Sequence, residues 1–283
     1  MTRITVLRAS RLIDGAGADP IDDGVVVSVD GTITDVGAAR DVNVPEGTDV
    51  ITRDYPGCTL LPGLIDCHTH LLFSASDQAL DDAIHDSDET LLLRGLANAQ
   101  AELRCGVTTL RDCGGRGLLT LALRDGIDRG LVAGPRILAA GMPITTTGGH
   151  LNFCGLEADG VHEAIKATRR LCKGGVDFIK VMATGGGMTP GTNPRAPQYT
   201  VEELSAIVAE AHRDGRAPRR RPLPRHPGHP QRRRGRHPHH RALLLAAPAG
   251  GAGVRRPRGR THEGAGNLRH AHHGLGARRH QAG

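Results

Sequence analysis

Five side chains in this sequence have types and spacings suited to chemistry: His68, His70, Asp112, His150 and Lys180. His68-Thr69-His70 follows the apolar run "TLLPGLID". Residues i and i+2 of a strand point the same way, so at the end of a parallel strand two imidazoles can grip one metal ion. Imidazole is the commonest nitrogen ligand of Zn²⁺. A bare HxH is often a surface accident, but the apolar strand and Pro62-Gly63 ahead of this one make it more specific. Lys180 sits in "FIKVMATGGG", and a lysine in an apolar strand is costly unless paired. The simplest partner is a carboxylate at the strand end. Asp112 closes "VTTLRD", where it orients neighbouring groups or caps a helix. His150, in "TTTGGHLNFCG", is a loop histidine within reach of backbone partners. "ATGGGMTPG" matches neither GxGxxG nor GxxxxGK[ST], so it reads as a flexible loop and not as a phosphate cradle.

The elements that must position these residues are visible as pattern. Residues 1–57 read as a β module, with a hairpin turning at Asp30-Gly31 between "GVVVSV" and "TITDVG". From Cys58 the pattern alternates. "TLLPGLIDCHTHLLF", "VTTLRDCGG", "RILAAGMPITTTGG" and "VDFIKVMATGGG" read as strands. "DETLLLRGLANAQAELRCG", "LLTLALRDGIDRG", "GVHEAIKATRRLCKGG" and "TVEELSAIVAEAHRDG" read as helices, the last opened by a Thr200/Glu203 capping box. Four β/α units with apolar strands imply a parallel sheet with helices outside. The polar residues gather at the C-terminal ends of those strands, where an α/β barrel builds its site.

Composition divides the chain near residue 216. From Ala217 onward there are 16 Arg, no Lys and one acid, Glu263, hence +15. The remaining 20 basic and 29 acidic residues give residues 1–216 a charge of −9, so the overall +6 describes the tail alone. Residues 217–283 lack Ile and aromatics, hold ten of the sixteen His, and are too poor in bulky apolar groups to offset their ordering entropy. They are expected to be disordered. The six cysteines have no CxxC pairing and are expected to be reduced and mostly buried. No signal pattern opens the chain and no apolar run approaches a membrane span, so a cytoplasmic location is expected.

"TLLPGLIDCHTHL" resembles the first barrel strand of the metal-dependent amidohydrolases, in the group of imidazolonepropionase and the Xaa-Pro dipeptidase-type enzymes. "GVTTLRDCGG", "GPRILAAG", "TTTGGHLNFCG" and "FIKVMATGGGMTPGTNPRAPQYTVEELSAIVAEAH" extend the resemblance in order over roughly residues 5–216. It implies an α/β fold: the first four units, residues 58–216, of a (β/α)8 TIM-type barrel, with residues 1–57 as a small N-terminal β-sandwich module. It implies two divalent metal ions, zinc by expectation, with His68 and His70 as ligands and Lys180 carboxylated to bridge them. It places His150 near the substrate and gives Asp112 a supporting role. The implied reaction is hydrolysis of an amide C–N bond in a small-molecule amide or dipeptide.

The resembled pattern stops where the composition changes. The family expects histidines after strands five and six and an Asp after strand eight, and residues 219–241 read "RRRPLPRHPGHPQRRRGRHPHHR" instead. Codon degeneracy accounts for the substitution. Reading CGN, CCN, CTN and CAY codons one base later allows V-A-A-H-C-H-G-T over residues 219–226 and T-I-E-H over residues 239–242. The missing histidines then lie under Pro222, Pro224 and Ala242, and residues 217–283 are read as an out-of-frame tail. The parent activity is expected to be lost in the chain as written, which is also expected to be poorly soluble because a barrel stopped at four strands leaves open edges. The rival reading is a basic tail that binds nucleic acid, or metal through "HPHH" and "HAHH". The tail lacks aromatics for base stacking and any DNA-reading motif, so no specific nucleic-acid partner is expected.

Overall fold

The computed structural model describes residues 2–44, 50–213 and, as backbone, 243–245. The first sheet has the order β3-β2-β1-β4. β1 (Ile4–Leu12) pairs antiparallel with β2 (Ile21–Val29), which turns into β3 (Thr32–Ala38), while β4 (Val50–Leu60) runs parallel to β1. The hairpin turns at Asp30 (φ 51°) and Gly31 (φ 77°), the two positive φ angles that a two-residue turn of matching twist requires. Among the described residues this module is one sheet and not the expected sandwich. Its buried Val6, Val25 and Val27 are covered by Ala39, Val42 and Val44 of the following segment instead of by a second layer.

β4 also runs past the expected boundary at residue 57. Thr59 and Leu60 pair with Arg11 and Leu12, so "TLLPGLIDCHTHL" is two strands and not one. The chain leaves one sheet at Leu60 and enters the next at β5 (Leu64–Thr69). Gly63 permits the crossing, since a Cβ there would stand 2.1 Å from Thr108 Oγ1.

Four β/α repeats follow. β5 leads to α1 (Ala79–His85) and α2 (Asp88–Arg104); β6 (Val107–Asp112) leads to α3 (Leu119–Asp128). β7 (Arg136–Ala139), β8 (Ile144–Thr145) and β9 (Leu156–Glu157) lead to α4 (Gly160–Gly174), and β10 (Lys180–Met182) to α5 (Val201–Arg213). All pairs among these strands are parallel, in the orders β5-β6-β7 and β9-β8-β10. The helix ends follow their sequence signals. Ser87 Oγ accepts Thr90 N–H, and Thr200 and Glu203 satisfy each other's backbone N–H groups as a capping box. α1 carries no such signal. It is held from outside by Arg116, whose guanidinium donates to the carbonyls of Ala83, Ile84 and Asp86 at 2.6 Å each.

One apolar cluster joins strands to helices: Leu71, Leu110, Ile137, Ile144, Ile179 and Val181 pack against Leu121, Leu171 and Ile207. All six cysteines are free, as expected, but Cys58, Cys67 and Cys105 are exposed, which corrects the expectation of mostly buried thiols. Two of the three lie on β4 and β5, which are uncovered. Of residues 217–283, only Leu243–Leu245 are described. They form β11, parallel to β10, where a disordered tail was expected. Pro222, Pro224 and Ala242 lie outside the described residues. Among the described residues no helix is long and apolar enough to cross a membrane.

The second repeat is joined to the third and fourth by a nearly buried ion pair. Arg124 of α3 meets Asp177 at 2.5 Å and donates to Gly175 O, and Asp177 also accepts Ala139 N–H of β7. Removing one partner strands the other's charge in the interior, which typically costs about 3–5 kcal/mol. Asp177→Leu is therefore expected to lower the urea midpoint sharply, read by circular dichroism at micromolar protein. The double variant with Arg124→Leu should lose clearly less than the sum of the two single losses.

Candidate functional site

The candidate residues converge around the C-terminal ends of β5 and β6 and the first residue of β10, Lys180. Thr69 is in register with Asp112 at the ends of β5 and β6. Beyond that point the ladder no longer holds the chain, and His70 is fixed by other means. Cys113 N–H donates to Thr69 O at 2.7 Å, and Leu71 N–H donates to Asp112 Oδ1 at 3.0 Å. His70 is thus clamped on both sides. Its Nδ1–H donates to Gly114 O at 2.7 Å, and the ring stacks on Phe73 at 5.1 Å between centroids. This tautomer leaves the Nε2 lone pair free. Gly114 has φ +116°, and a Cβ there would stand 2.8 Å from Pro143 Cδ, so the accepting carbonyl depends on glycine. His68 lies with its ring centroid 5.4 Å from that of His70, and its N–H donates to Asp66 Oδ1.

Lys180 is only 3% exposed, and among the described residues its ammonium has no ion pair or hydrogen bond. The carboxylate partner that the sequence alone suggests is not among them. His150 is held by the loops that flank it. Its Nδ1 meets Thr189 Oγ1 at 3.0 Å, its N–H donates to Gln198 Oε1 at 2.7 Å, and its ring lies against Gly186, where a Cβ would stand 2.3 Å from Nε2. Gln198 in turn donates to Thr145 Oγ1 and Met182 O, joining the segments after β8 and β10. Leu151 takes a left-handed φ of 58° beside His150, with its N–H donated to Thr189 Oγ1. Sequence reasoning missed Phe73, Gly114, Thr189 and Gln198. Only Gly114, in "CGG" after a strand, carried a signal.

The electrostatics favour neutral nitrogen. Burial pushes His70 down to about 4, against the opposing pull of the Gly114 carbonyl. Burial lowers His68 and His150 as well, and the Lys180 charge adds to both. Burial also lowers Lys180. Neutral amine and imidazole are the forms that can ligate a metal. No group of three or more His, Cys, Asp or Glu side chains placed for a metal occurs among the described residues.

Comparison with known proteins matches residues 59–217 to the amidohydrolase family. Ochratoxinase from Aspergillus niger is 32% identical over 248 residues, covering 76% of this chain and 49% of that protein. Imidazolonepropionase from Rhizobium rhizogenes is 41% identical over 66 residues, covering 23% of this chain and 16% of that protein. A solved Xaa-Pro dipeptidase with methionine bound in its active site superposes with a TM-score of 0.67 at 31% identity, over 75% of this chain and 55% of that one. The chain spans about half the length of the curated ochratoxinase that it matches.

Asp112 provides a test of the clamp. Its Oδ2 is buried without a hydrogen-bond partner; the Thr120 hydroxyl and Gly114 N–H favour the charge but do not bond this oxygen. Burial pushes the carboxyl up to about 6 from 3.8. A raised carboxyl stabilises the fold most below its unfolded pKa and loses that contribution as pH climbs through the folded value. Stability should therefore fall by roughly 2 kcal/mol between pH 4 and pH 7 from this group. Asp112→Asn keeps the Leu71 bond and should flatten that part of the pH profile of the urea midpoint. An unchanged slope would refute the assignment.

Proposed function

The chain belongs to the amidohydrolase family, and on that premise we propose that residues 58–216 are the N-terminal half of a metal-dependent hydrolase of amide C–N bonds. The fold implied is the first four β/α units of a (β/α)8 barrel. The observation that carries the reading is the convergence of His68 and His70 with a buried, unpaired Lys180. A lysine that finds no carboxylate inside a protein is biased toward the neutral amine. Neutral amine adds CO₂ to give a carbamate, with loss of a proton to solvent, and so becomes an oxygen ligand.

The residues present fit part of a metal site. The free Nε2 of His70, its 5.4 Å ring separation from His68 and the lowered basicity of both suit two imidazoles on one borderline divalent ion such as Zn²⁺. Carboxylated Lys180 would add oxygen donors for the metal ions. Bound there, the ions supply Lewis acidity toward the scissile carbonyl and acidify water. The chain's own groups do the positioning. Gly114 and Phe73 hold His70 in one tautomer and orientation, Asp112 fixes the backbone beneath it, and His150 binds substrate from the adjoining loop. Substrates of the parent enzyme would be an N-acyl amino acid, a dipeptide with proline, or a cyclic amide. The ochratoxinase and Xaa-Pro dipeptidase likenesses support that class.

The remaining ligands and the proton-transferring Asp belong to a second half. The family match ends at residue 217, where the composition changes, and this supports reading 217–283 as an out-of-frame tail. The chain as written is expected to hydrolyse N-acyl amino acids and Xaa-Pro dipeptides negligibly. Zinc-loaded monomer with measurable turnover would overturn this. Sequencing the gene should show His codons one base after the Pro222 and Ala242 codon starts, and without them the frame reading fails. In the frame-restored protein, His70→Ala is expected to lower kcat/KM by about 10³-fold and to remove bound zinc, counted by elemental analysis.

A further inference from the structure

We infer that Thr189 is a positioning residue that holds the His150 ring with its proton on Nε2, so that His150 offers a hydrogen-bond donor beside the lone pair that His70 offers to metal. The use of that donor on a substrate oxygen rests on the hydrolase reading above; the placement of the proton does not.

Hydrogen-bond satisfaction around Thr189 fixes the proton. Thr189 is 6% exposed, and its Oγ1 has two polar neighbours among the described residues. Leu151 N–H donates to it at 2.8 Å, and His150 Nδ1 lies 3.0 Å away. A hydroxyl both accepts and donates, whereas a backbone N–H only donates. The Thr189 proton therefore has one acceptor in reach, the Nδ1 lone pair. A proton on Nδ1 would set two N–H donors against one oxygen and leave the buried hydroxyl proton without an acceptor, which native interiors avoid. Turning the ring over would put carbon where Nδ1 sits and lose the bond.

The ring and its partner are braced. Gln198 Oε1 accepts His150 N–H at 2.7 Å, and its amide donates to Thr145 Oγ1 and Met182 O, so the two ends of that side chain cannot be exchanged. The left-handed φ of 58° at Leu151 aims its N–H at Thr189. The Thr192 hydroxyl, 2.8 Å from Gly186 O and 2.9 Å from Thr189 O, ties together the two residues that flank the ring.

The other ring nitrogen is available. Nε2 has no hydrogen-bond partner among the described residues. Asp112 Oδ2 is the one sealed side-chain nitrogen or oxygen without a partner there, so Nε2 is open to an incoming group. Burial favours the neutral ring, which carries a single proton. His70 divides its nitrogens the other way, with Nδ1–H donated to Gly114 O. One histidine thus keeps a lone pair for a metal. The other keeps a proton for a carbonyl or carboxylate oxygen, and a protonated Nε2 does not ligate metal.

The test uses the full chain labelled with ¹⁵N-histidine and read by solid-state NMR, which needs no soluble monomer. The His150 signals are those lost in His150→Gln. The expected spectrum shows His150 protonated on Nε2 and His70 protonated on Nδ1. Thr189→Val should lower the ratio of Nε2–H to Nδ1–H forms at His150 by about tenfold, and Thr189→Ser should restore it. His70 should keep its form in both variants, a split that general loosening of the fold would not produce. Added Zn²⁺ should shift His70 Nε2 and leave His150 unmoved. If zinc moves neither, the metal reading fails and the placement of the proton stands. The unsubstituted chain alone decides that placement: a His150 proton on Nδ1, or a ring averaging between forms, overturns the inference. So does a His150 spectrum indifferent to Thr189→Val.

Discussion

A buried carboxylate accepting one backbone N–H, Asp112 on Leu71, is the contact from which the candidate site takes its geometry. Parallel strands hold each other only as far as their ladder runs, and the β5–β6 ladder ends at Thr69 and Asp112. His70 comes one residue later. Without the Asp112 and Cys113 bonds on either side, its backbone would be free to turn away from β10. The cost is visible in Asp112 itself, which is buried with one oxygen unpartnered and held well above the usual carboxylate range. That cost falls at the junction that orients His70.

The same face holds several basic groups away from their charged forms. Its imidazoles and amine are all pushed toward neutrality by burial, and among the described residues neither Lys180 nor Arg111 has an ion pair. In a finished site, carboxylates or metal ions balance such groups. Among the described residues, the unpaired Lys180 and Arg111 and the exposed strands β4 and β5 lie in the same part of the chain's fold. A sheet that closes on itself needs its second half for backbone pairing, apolar cover and charge alike.

Local signals were legible in the sequence, and cover was not. The Asp30-Gly31 turn, the Thr200/Glu203 cap and the HxH strand end are written in residues a few positions apart, and the structure forms each of these elements. α1 was invisible because its stabilising groups come from Arg116, thirty residues on. The positions of Thr189 and Gln198 depend on two loops meeting, and no spacing records that. Among the described residues the expected sandwich is a single sheet and Cys58 and Cys67 are exposed, for one reason. Both assumed a covering layer, and an apolar strand reads the same whether or not its cover is present.

β11 bears on how the tail is to be understood. Leu243–Leu245 lie beside β10 in parallel register, yet strand pairing uses backbone N–H and C=O groups that nearly every residue has. An open edge accepts such a partner without regard to its side chains. Metal ligation is different, because it needs particular side chains at particular strand ends. Residues 219–241 offer Arg and Pro where the resembled pattern has histidines, and the family match ends at residue 217. A short strand in the tail is therefore consistent with an out-of-frame sequence. It satisfies the general demand of an open sheet edge and leaves the specific demand of the site unmet.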